Sequence, residues 1–328
     1  MLQGAVKRDA EARIADRMKQ ITGDQEWTST PAGYKTLTLE HHMAARRAGF
    51  FKLFEALQQD DNLRTGLLDG SLPSLRLFTH DVLPLVEALR ANDVFAVAAL
   101  VRQRSPLLSA AALKAAGDKQ EEKLAEVQTS VESLASLWSG SNASPTFLEV
   151  LQVVSEFSLF EIPELLANIL RRIEAARPDV APSAEDEAAD PQNATIVALQ
   201  NFLMVPFEEI GPYADYVSGL ASSATHQGVK GLEFPRVMVV IDDEEARGFL
   251  FSYEKLFGAK AKSDTDAKNE AEGKETTVDR TRRLFYVTCS RAEQSLAVAA
   301  YSANPAAVRE TVIRQGWFSE EEVEILAH

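Results

Sequence analysis

Residues 225–235, with the sequence THQGVKGLEFP, combine residue types that can contact a phosphate group. Gly228 and Gly231 flank Lys230, and the strongly apolar run VMVVI follows at 237–241. Glycines let backbone N–H groups approach a phosphate closely, and a lysine supplies positive charge. The segment therefore predicts a phosphate-contacting loop ahead of a buried strand. Glycines and a lysine alone would instead favour a tight turn with no ligand.

A second segment, DRTRRLFYVTCSRA at 279–292, ends near an arginine suited to phosphate binding. Leu284, Val287 and Arg291 are spaced i, i+3 and i+7, which places Arg291 near the end of a predicted helix whose apolar face is buried. A guanidinium stays charged and binds phosphate oxygens through two parallel hydrogen bonds. The alternative is a basic helix end that complements the helix dipole.

Three other groups are weaker candidates for chemistry. The run VVIDDE at 239–244 resembles a strand ending in Mg²⁺-binding carboxylates, but we favour a surface turn and predict no metal site. The adjacent pair His41 and His42 is better explained by the change from strand to helix than by metal binding. Cys289 has no neighbouring histidine, and we expect a core residue rather than a nucleophile.

The pattern G-x-x-x-x-G-K-[ST] of a phosphate-binding P-loop is absent from all 328 residues. The one Gly-Lys pair, Gly273 and Lys274, is followed by Glu275 and lacks the upstream glycine. Without this cradle the sequence predicts no independent ATP site.

Hydrophobic periodicity predicts α/β structure at both ends of the chain and helices between them. We predict strands at 34–39, 222–225, 237–241 and 296–300. We predict helices at 5–22, 81–90, 93–103, 118–138, 145–157, 162–175, 195–204, 207–218, 280–292 and 305–315, with another after the first strand. Residues 178–191 and 258–279 are predicted to be solvated surface loops.

These elements predict one α/β domain built from both ends of the chain, with an all-helical domain inserted in it. The predicted boundaries place residues 1–60 and 219–328 in the α/β domain and 61–218 in the helical insertion.

The segments at 225–240 and 280–300 resemble motifs V and VI of the UvrD/Rep helicases of superfamily 1. VKGLEFPRVMVV is similar to a motif V pattern H-x-x-K-G-L-E-F-P-x-V, and RRLFYVTCSRA to a motif VI pattern R-R-L-x-Y-V-x-x-T-R-A. The opening DAEARIADRM followed by KTLTL is more loosely similar to the stretch after motif IV. The resemblance implies the second RecA-like domain of such a helicase, without the P-loop, and an inserted domain of the 2B kind.

The resemblance also implies roles for individual residues. Arg291 would be the catalytic arginine finger, and Lys230, Gly231 and Glu233 would join it at the nucleotide. Thr225, His226 and Lys230 would contact DNA. ATP and Mg²⁺ would bind only together with an N-terminal RecA-like half that carries the P-loop, because Met1 falls after motif IV. The chain alone would be inactive.

The chain departs from the family pattern at three places. His226 lies four residues before Lys230 rather than three, so that either His226 or Gln227 takes the histidine's role. Arg280 and Thr281 replace paired acids, and Ser290 replaces a threonine. These differences suggest a divergent subfamily.

Composition adds limits. The net charge is −15, which argues against a broad DNA-binding surface, so any DNA path would be narrow or shared. A single cysteine and the lack of long apolar runs are typical of a cytoplasmic protein with no membrane segment. Expected partners are single-stranded or partly duplex DNA, the N-terminal half, and a nuclease or repair protein. The alternative is a non-catalytic helicase-like module that binds a partner protein in a phage-defence or repair complex.

Overall fold

A computed structural model describes residues 4–140, 143–175 and 191–326. The chain divides into two units, one made of Met1–Ala48 with Ala221–His328 and the other of Gly49–Leu220. The first division comes after Ala48, whereas the sequence placed it near residue 60. The predicted loop at 178–191 lies outside the described residues except for Pro191, which begins a helix.

The first unit is an α/β fold around a parallel four-stranded sheet. Its strands are β1 Lys35–Thr38, β2 Ser223–Thr225, β3 Phe234–Ile241 and β4 Ala292–Ala300. Their order across the sheet is β2-β1-β3-β4, and every neighbouring pair is parallel. All four predicted strands are therefore confirmed, with β3 and β4 beginning three and four residues earlier than predicted.

Helices make up most of the remaining regular structure. In chain order they are α1 Gly4–Thr22, α2 His41–Ala48, α3 Phe51–Gln58, α4 Asp61–Asp69, α5 Pro73–Arg76, α6 Leu83–Arg90, α7 Val94–Arg104, α8 Ala110–Ala116, α9 Gln120–Ser136, α10 Phe147–Glu156, α11 Glu164–Ala175, α12 Pro191–Leu203, α13 Ile210–Val217, α14 Asp243–Ala246, α15 Tyr253–Leu256, α16 Asp264–Ala271, α17 Thr277–Cys289 and α18 Pro305–Arg314. A π-helical turn, Leu77–Val82, joins α5 to α6, and short 3-10 turns occur at Gln25–Thr28, Pro106–Leu108, Gly117–Lys119, Phe207–Glu209 and Glu320–Glu322.

Strand β3 is buried on both faces. Val237, Val239 and Ile241 belong to one apolar cluster of the first unit, which also contains Leu284 of α17. Met238 and Val240 belong to a second cluster, around Trp27. Successive side chains of a strand point to opposite faces of the sheet. The all-apolar run at 237–241 is thus a central strand covered on both sides, as the sequence predicts.

Ion pairs attach α1 and α2 to the carboxyl end of β3. Arg47 lies 2.7 Å from Glu11 and 3.3 Å from Glu245, and Lys7 pairs with Asp242 and Glu245. Burial by itself raises the pKa of the Glu245 carboxyl, but Arg47 and Lys7 outweigh it and hold that pKa below its usual value. Glu245 is therefore charged, and its charge is paired, as a buried charge must be.

Aromatic rings form the core of the second unit. Phe147 lies 4.3 Å from Phe202 and 4.9 Å from Phe78 between ring centroids, and Phe207 packs against Phe78 and Phe147. A capping box begins α10, in which Thr146 and Glu149 satisfy each other's backbone N–H groups. The described residues of this unit contribute helices and no strand of the sheet.

The prediction of a solvated loop at 258–279 was wrong. This stretch contains α16, and Asp266 within it is buried. Its carboxylate accepts hydrogen bonds from Lys255 Nζ (2.6 Å), Ser263 Oγ (2.8 Å) and the backbone N–H of Thr277 (2.8 Å). Burial alone raises the pKa of Asp266, but these donors outweigh it and hold that pKa far below its usual value. The segment is charged on its surface, yet one buried acid ties α15, α16 and α17 together.

No helix among the described residues is long and apolar enough to cross a bilayer.

Candidate phosphate-contact site

The loop between β2 and β3 carries the first candidate segment. It consists of turns, in which the N–H of Lys230 donates to the carbonyl of Gln227 and that of Leu232 to Val229. Gly231 has φ +84°, a left-handed conformation that favours glycine. Val229 is buried in the core cluster around β3. This anchor leaves the following residues on the surface, namely Lys230, Gly231, Leu232 and Glu233.

The beginning of the same loop faces inward. The buried hydroxyl of Thr225 accepts a hydrogen bond from the backbone N–H of Gly228 at 3.0 Å. A Cβ atom at position 228 would lie 2.8 Å from that hydroxyl, so this close approach requires glycine. The side chain of Thr225 is therefore buried and holds the turn in place.

His226 is also a structural residue in this arrangement, because its side chain is fully buried. Its Nε2 donates to the carbonyl of Leu37 at 3.2 Å, and its Nδ1 accepts from the Tyr253 hydroxyl at 3.1 Å. Burial lowers the pKa of the imidazole to about 4, so the ring is neutral near pH 7. The side chains of Thr225 and His226, which the sequence predicts at DNA, are buried and make internal hydrogen bonds, and the neighbouring Gln227 is exposed.

Helix α17 carries the second candidate segment and is fixed at its beginning and along one face. Thr276 and Asp279 form a capping box at its N-terminus. Leu284 and Phe285 join the core cluster around β3. The buried hydroxyl of Thr281 accepts from the N–H of Ser252 at 2.9 Å. Thr281, which departs from the family pattern, therefore holds a neighbouring loop rather than facing a ligand.

Arg291 lies two residues beyond the last residue of α17, Cys289, and directly before β4. The helix predicted at 280–292 thus begins three residues earlier and ends three residues earlier than expected. The backbone carbonyl of Arg291 accepts a hydrogen bond of 2.8 Å from the N–H of Phe234, at the beginning of β3. The two candidate segments therefore meet at the amino end of β3 and β4.

The guanidinium of Arg291 is held by three hydrogen bonds. Its Nε donates to the carbonyl of Val287 (2.8 Å), its Nη1 to the carbonyl of Leu232 (2.9 Å) and its Nη2 to the hydroxyl of Ser290 (2.9 Å). A guanidinium has five N–H donors. These bonds use one on each nitrogen, so one hydrogen remains on each of Nη1 and Nη2. Neither of these two N–H groups has a hydrogen-bond partner among the described residues, and a bidentate phosphate contact needs two such donors.

The other candidate residues have structural partners. Asp242 caps α14 by accepting from the N–H of Glu245 at 2.8 Å, and Asp243 accepts from the N–H groups of Tyr253 and Glu254. Ring nitrogen Nε2 of His42 donates to the carbonyl of Glu245 at 2.8 Å. Within the described ranges no group of three or more His, Cys, Asp or Glu side chains is arranged to hold a metal ion.

Burial raises the pKa of the Cys289 thiol to about 12. A thiol with this pKa stays protonated near pH 7 and is a poor nucleophile. Cys289 also packs against the core cluster around β3, which supports the interpretation of a core cysteine.

Three residues in or beside this site have functions that the sequence did not indicate. They are Ser290, which contacts the Arg291 guanidinium, Tyr253, which donates to His226, and Asp266, which holds the start of α17. A capping-box pattern, Ser263 followed three residues later by Asp266, was the available signal for the last of them. The contacts of Ser290 with Arg291 and of Tyr253 with His226 depend on side-chain geometry, which the spacing of residues along the sequence does not specify.

No protein-family model matches this chain, and a search of curated proteins finds no significant match.

Proposed function

We propose that the chain supplies the second RecA-like half of an ATP-dependent 3′-to-5′ DNA helicase of the UvrD/Rep kind. In this proposal Gly49–Leu220 forms an inserted domain of the 2B kind, and the first unit contributes to the nucleotide cleft. The observation that carries the proposal is the convergence of the two motif-like segments on Arg291, whose guanidinium is held with two donors free.

Arg291 would act on the γ-phosphate of ATP while water attacks it. Negative charge on the phosphoryl oxygens is redistributed during the transfer, and a cation held in place stabilises that charge. The carbonyls of Val287 and Leu232 and the hydroxyl of Ser290 hold the guanidinium before ATP arrives. The orientation therefore costs little when the transition state forms.

Lys230, Gly231 and Glu233 would border the same cleft. All three are exposed beside Leu232, whose carbonyl contacts Arg291. The Lys230 ammonium has no hydrogen-bond partner or ion pair recorded among the described residues and can face a phosphate of nucleotide or DNA. Glu233 can accept a hydrogen bond from a nucleotide hydroxyl.

A second protein region would hold ATP and Mg²⁺. The sequence contains no P-loop, and the described carboxylates beside β3 are engaged as helix caps and ion pairs. The donor set here therefore fits a contact to an already bound phosphate rather than a metal site of its own. Closure of the two RecA-like halves on ATP would shift them by a step along single-stranded DNA.

Steady-state ATP hydrolysis tests the proposal. The purified chain alone should show no turnover, with or without single-stranded DNA. Addition of a P-loop-bearing RecA-like region, encoded upstream in frame or by a neighbouring gene, should produce DNA-stimulated turnover. Turnover by the chain alone that persists after a second purification step would contradict the proposal.

The alternative of a non-catalytic module makes a different prediction for the same assay. A partner region would then bind the chain without any gain in DNA-stimulated turnover. The negative charge of −15 favours a protein partner over a broad DNA surface, so the mixture should be examined for both complex formation and ATPase activity.

A further inference from the structure

Ser290 occupies a position between the end of α17 and the guanidinium of Arg291. Its hydroxyl donates to the carbonyl of Val287 at 3.0 Å and accepts from Nη2 of Arg291 at 2.9 Å. Val287 also accepts from Nε of Arg291 at 2.8 Å. The three groups form a closed set of hydrogen bonds in which the serine hydroxyl uses its one hydrogen and one lone pair.

We propose that Ser290 is a positioning residue that fixes the rotation of the Arg291 guanidinium and so aims its two free donors. The use of this alignment in ATP hydrolysis rests on the proposed function, whereas the alignment itself is a property of the chain.

The geometry supports this assignment over a role in folding. Ser290 is exposed and is the C-terminal cap residue of α17, where its backbone N–H already bonds to Thr288 and Tyr286 carbonyls. Removal of its hydroxyl leaves no buried polar group without a hydrogen-bond partner, because the Val287 carbonyl still accepts from Arg291. Among the described residues the Ser290 hydroxyl makes two hydrogen bonds, one to Val287 and one to Arg291.

The contact between Ser290 and Nη2 fixes a part of the guanidinium that Leu232 does not hold. The carbonyls of Val287 and Leu232 hold Nε and Nη1, and among the described residues the third nitrogen, Nη2, is held by Ser290 alone. If Nη2 lost its acceptor, the guanidinium could tilt about the other two bonds. A bidentate contact depends on both outer nitrogens lying in one plane with the phosphate oxygens, so such a tilt would weaken it.

Nuclear magnetic resonance of the arginine Nε–H groups tests the alignment without ATP. The Arg291 signal is identified by its loss in Arg291→Lys, and exchange of its Nε proton with water is measured near neutral pH. Ser290→Ala should speed this exchange about five-fold, because a guanidinium released at Nη2 opens away from the Val287 carbonyl more easily, by about the free energy of one ordinary hydrogen bond. Ser290→Thr should restore the wild-type rate, and Ser290→Val, which has the shape of threonine without the hydroxyl, should behave like Ser290→Ala.

Ser222→Ala is the matched control, because Ser222 is an exposed serine of the same unit. It should leave the exchange rate unchanged. An unchanged rate in Ser290→Ala, or a wild-type rate in Ser290→Val, would overturn the inference.

The reconstituted ATPase gives the second readout. Ser290→Ala and Ser290→Val should lower kcat about five-fold with little change in KM for ATP, and Ser290→Thr should restore it. A fall in kcat for Ser290→Thr as large as that for Ser290→Val would overturn the role of the hydroxyl in turnover. Failure of the proposed function would be distinguishable from failure of this inference. In that case Arg291→Ala would keep normal turnover, while the Nε–H exchange rates of the Ser290 variants would still follow the prediction.

Discussion

The imidazole of His226 and the guanidinium of Arg291 come from the two motif-like segments but lie in opposite environments. His226 is fully buried and bonded on both nitrogens, whereas Arg291 is partly exposed with two donors free. Burial therefore separates a side chain that positions the loop from one that can meet a ligand. Gln227 and Lys230, in the same loop as His226, are exposed.

The buried His226 predicts a pH dependence of stability. Its folded-state pKa of about 4 lies below its ordinary value of 6.5. As pH falls, the imidazole is therefore protonated in the unfolded chain at a higher pH than in the folded one. The contribution of neutral His226 to the free energy of unfolding is fully present above pH 6.5 and is lost as pH falls toward 4. The full difference corresponds to about 3 kcal/mol. His226→Gln should be less stable than the parent protein near pH 7. Its free energy of unfolding should also fall less than that of the parent protein as pH is lowered from 6.5 to 4.

Chemical denaturation can follow this effect in the first unit alone. Of the three tryptophans, Trp27 and Trp317 belong to the first unit and Trp138 to the second. In a Trp138→Phe background the tryptophan fluorescence therefore comes from the first unit alone. A pH dependence in His226→Gln equal to that of the parent protein would show that the imidazole is not the titrating group.

At the scale of elements, the strands were predictable but several helices were not, among them α8 and α16. Apolar runs identified β3 and β4 because a strand covered on both faces needs apolar side chains throughout. Helix α8, AAALKAA, lacks an amphipathic stripe, and its described residues are not buried, so periodicity could not identify it. Helix α16 is highly charged and was assigned to a loop because charge content does not reveal a single buried acid.

The contacts of Asp266 predict a contribution of this residue to the free energy of unfolding of the first unit. Asp266→Ala removes the partner of a largely buried Lys255 and the acceptor for the N–H of Thr277 at the start of α17. It should lower the free energy of unfolding of the first unit by about 3 kcal/mol, in the range seen when one partner of a buried ion pair is lost. Denaturation in the Trp138→Phe background measures it.

Asp264→Ala is the control, since Asp264 is an exposed acid of the same helix. It should change stability by less than about 0.5 kcal/mol. Equal effects of the two substitutions would mean that Asp266 does not join the three helices.

At the scale of the whole molecule, the α/β fold could be predicted from the sequence, but the contacts of the site could not. The chain returns at β2 to pair with β1 across a separation of more than 170 residues, and apolar patterns at both ends indicated a shared sheet. The hydrogen bond from Arg291 to Leu232 joins residues 59 positions apart, and no pattern of residue types specifies it. The same limit explains why His226 was expected at a surface that it does not reach.

The proposed activity requires a second, P-loop-bearing region, because the P-loop pattern does not occur in this sequence. The arginine lies in this chain, and the phosphate cradle would lie in another region. Substitution of Arg291 should therefore affect turnover strongly and DNA affinity weakly, because Lys230 and the other exposed loop residues remain. It should also leave complex formation between the two regions intact.

The most direct measurement is the steady-state ATPase rate of the reconstituted assembly at saturating single-stranded DNA, compared for Arg291, Arg291→Ala and Arg291→Lys. We expect Arg291→Ala to lose about 10³-fold in turnover, as is typical of an arginine finger. Arg291→Lys should recover little of it, because an ammonium cannot replace the bidentate fork. An Arg291→Ala variant that binds DNA normally and keeps more than about a tenth of wild-type turnover would contradict the account.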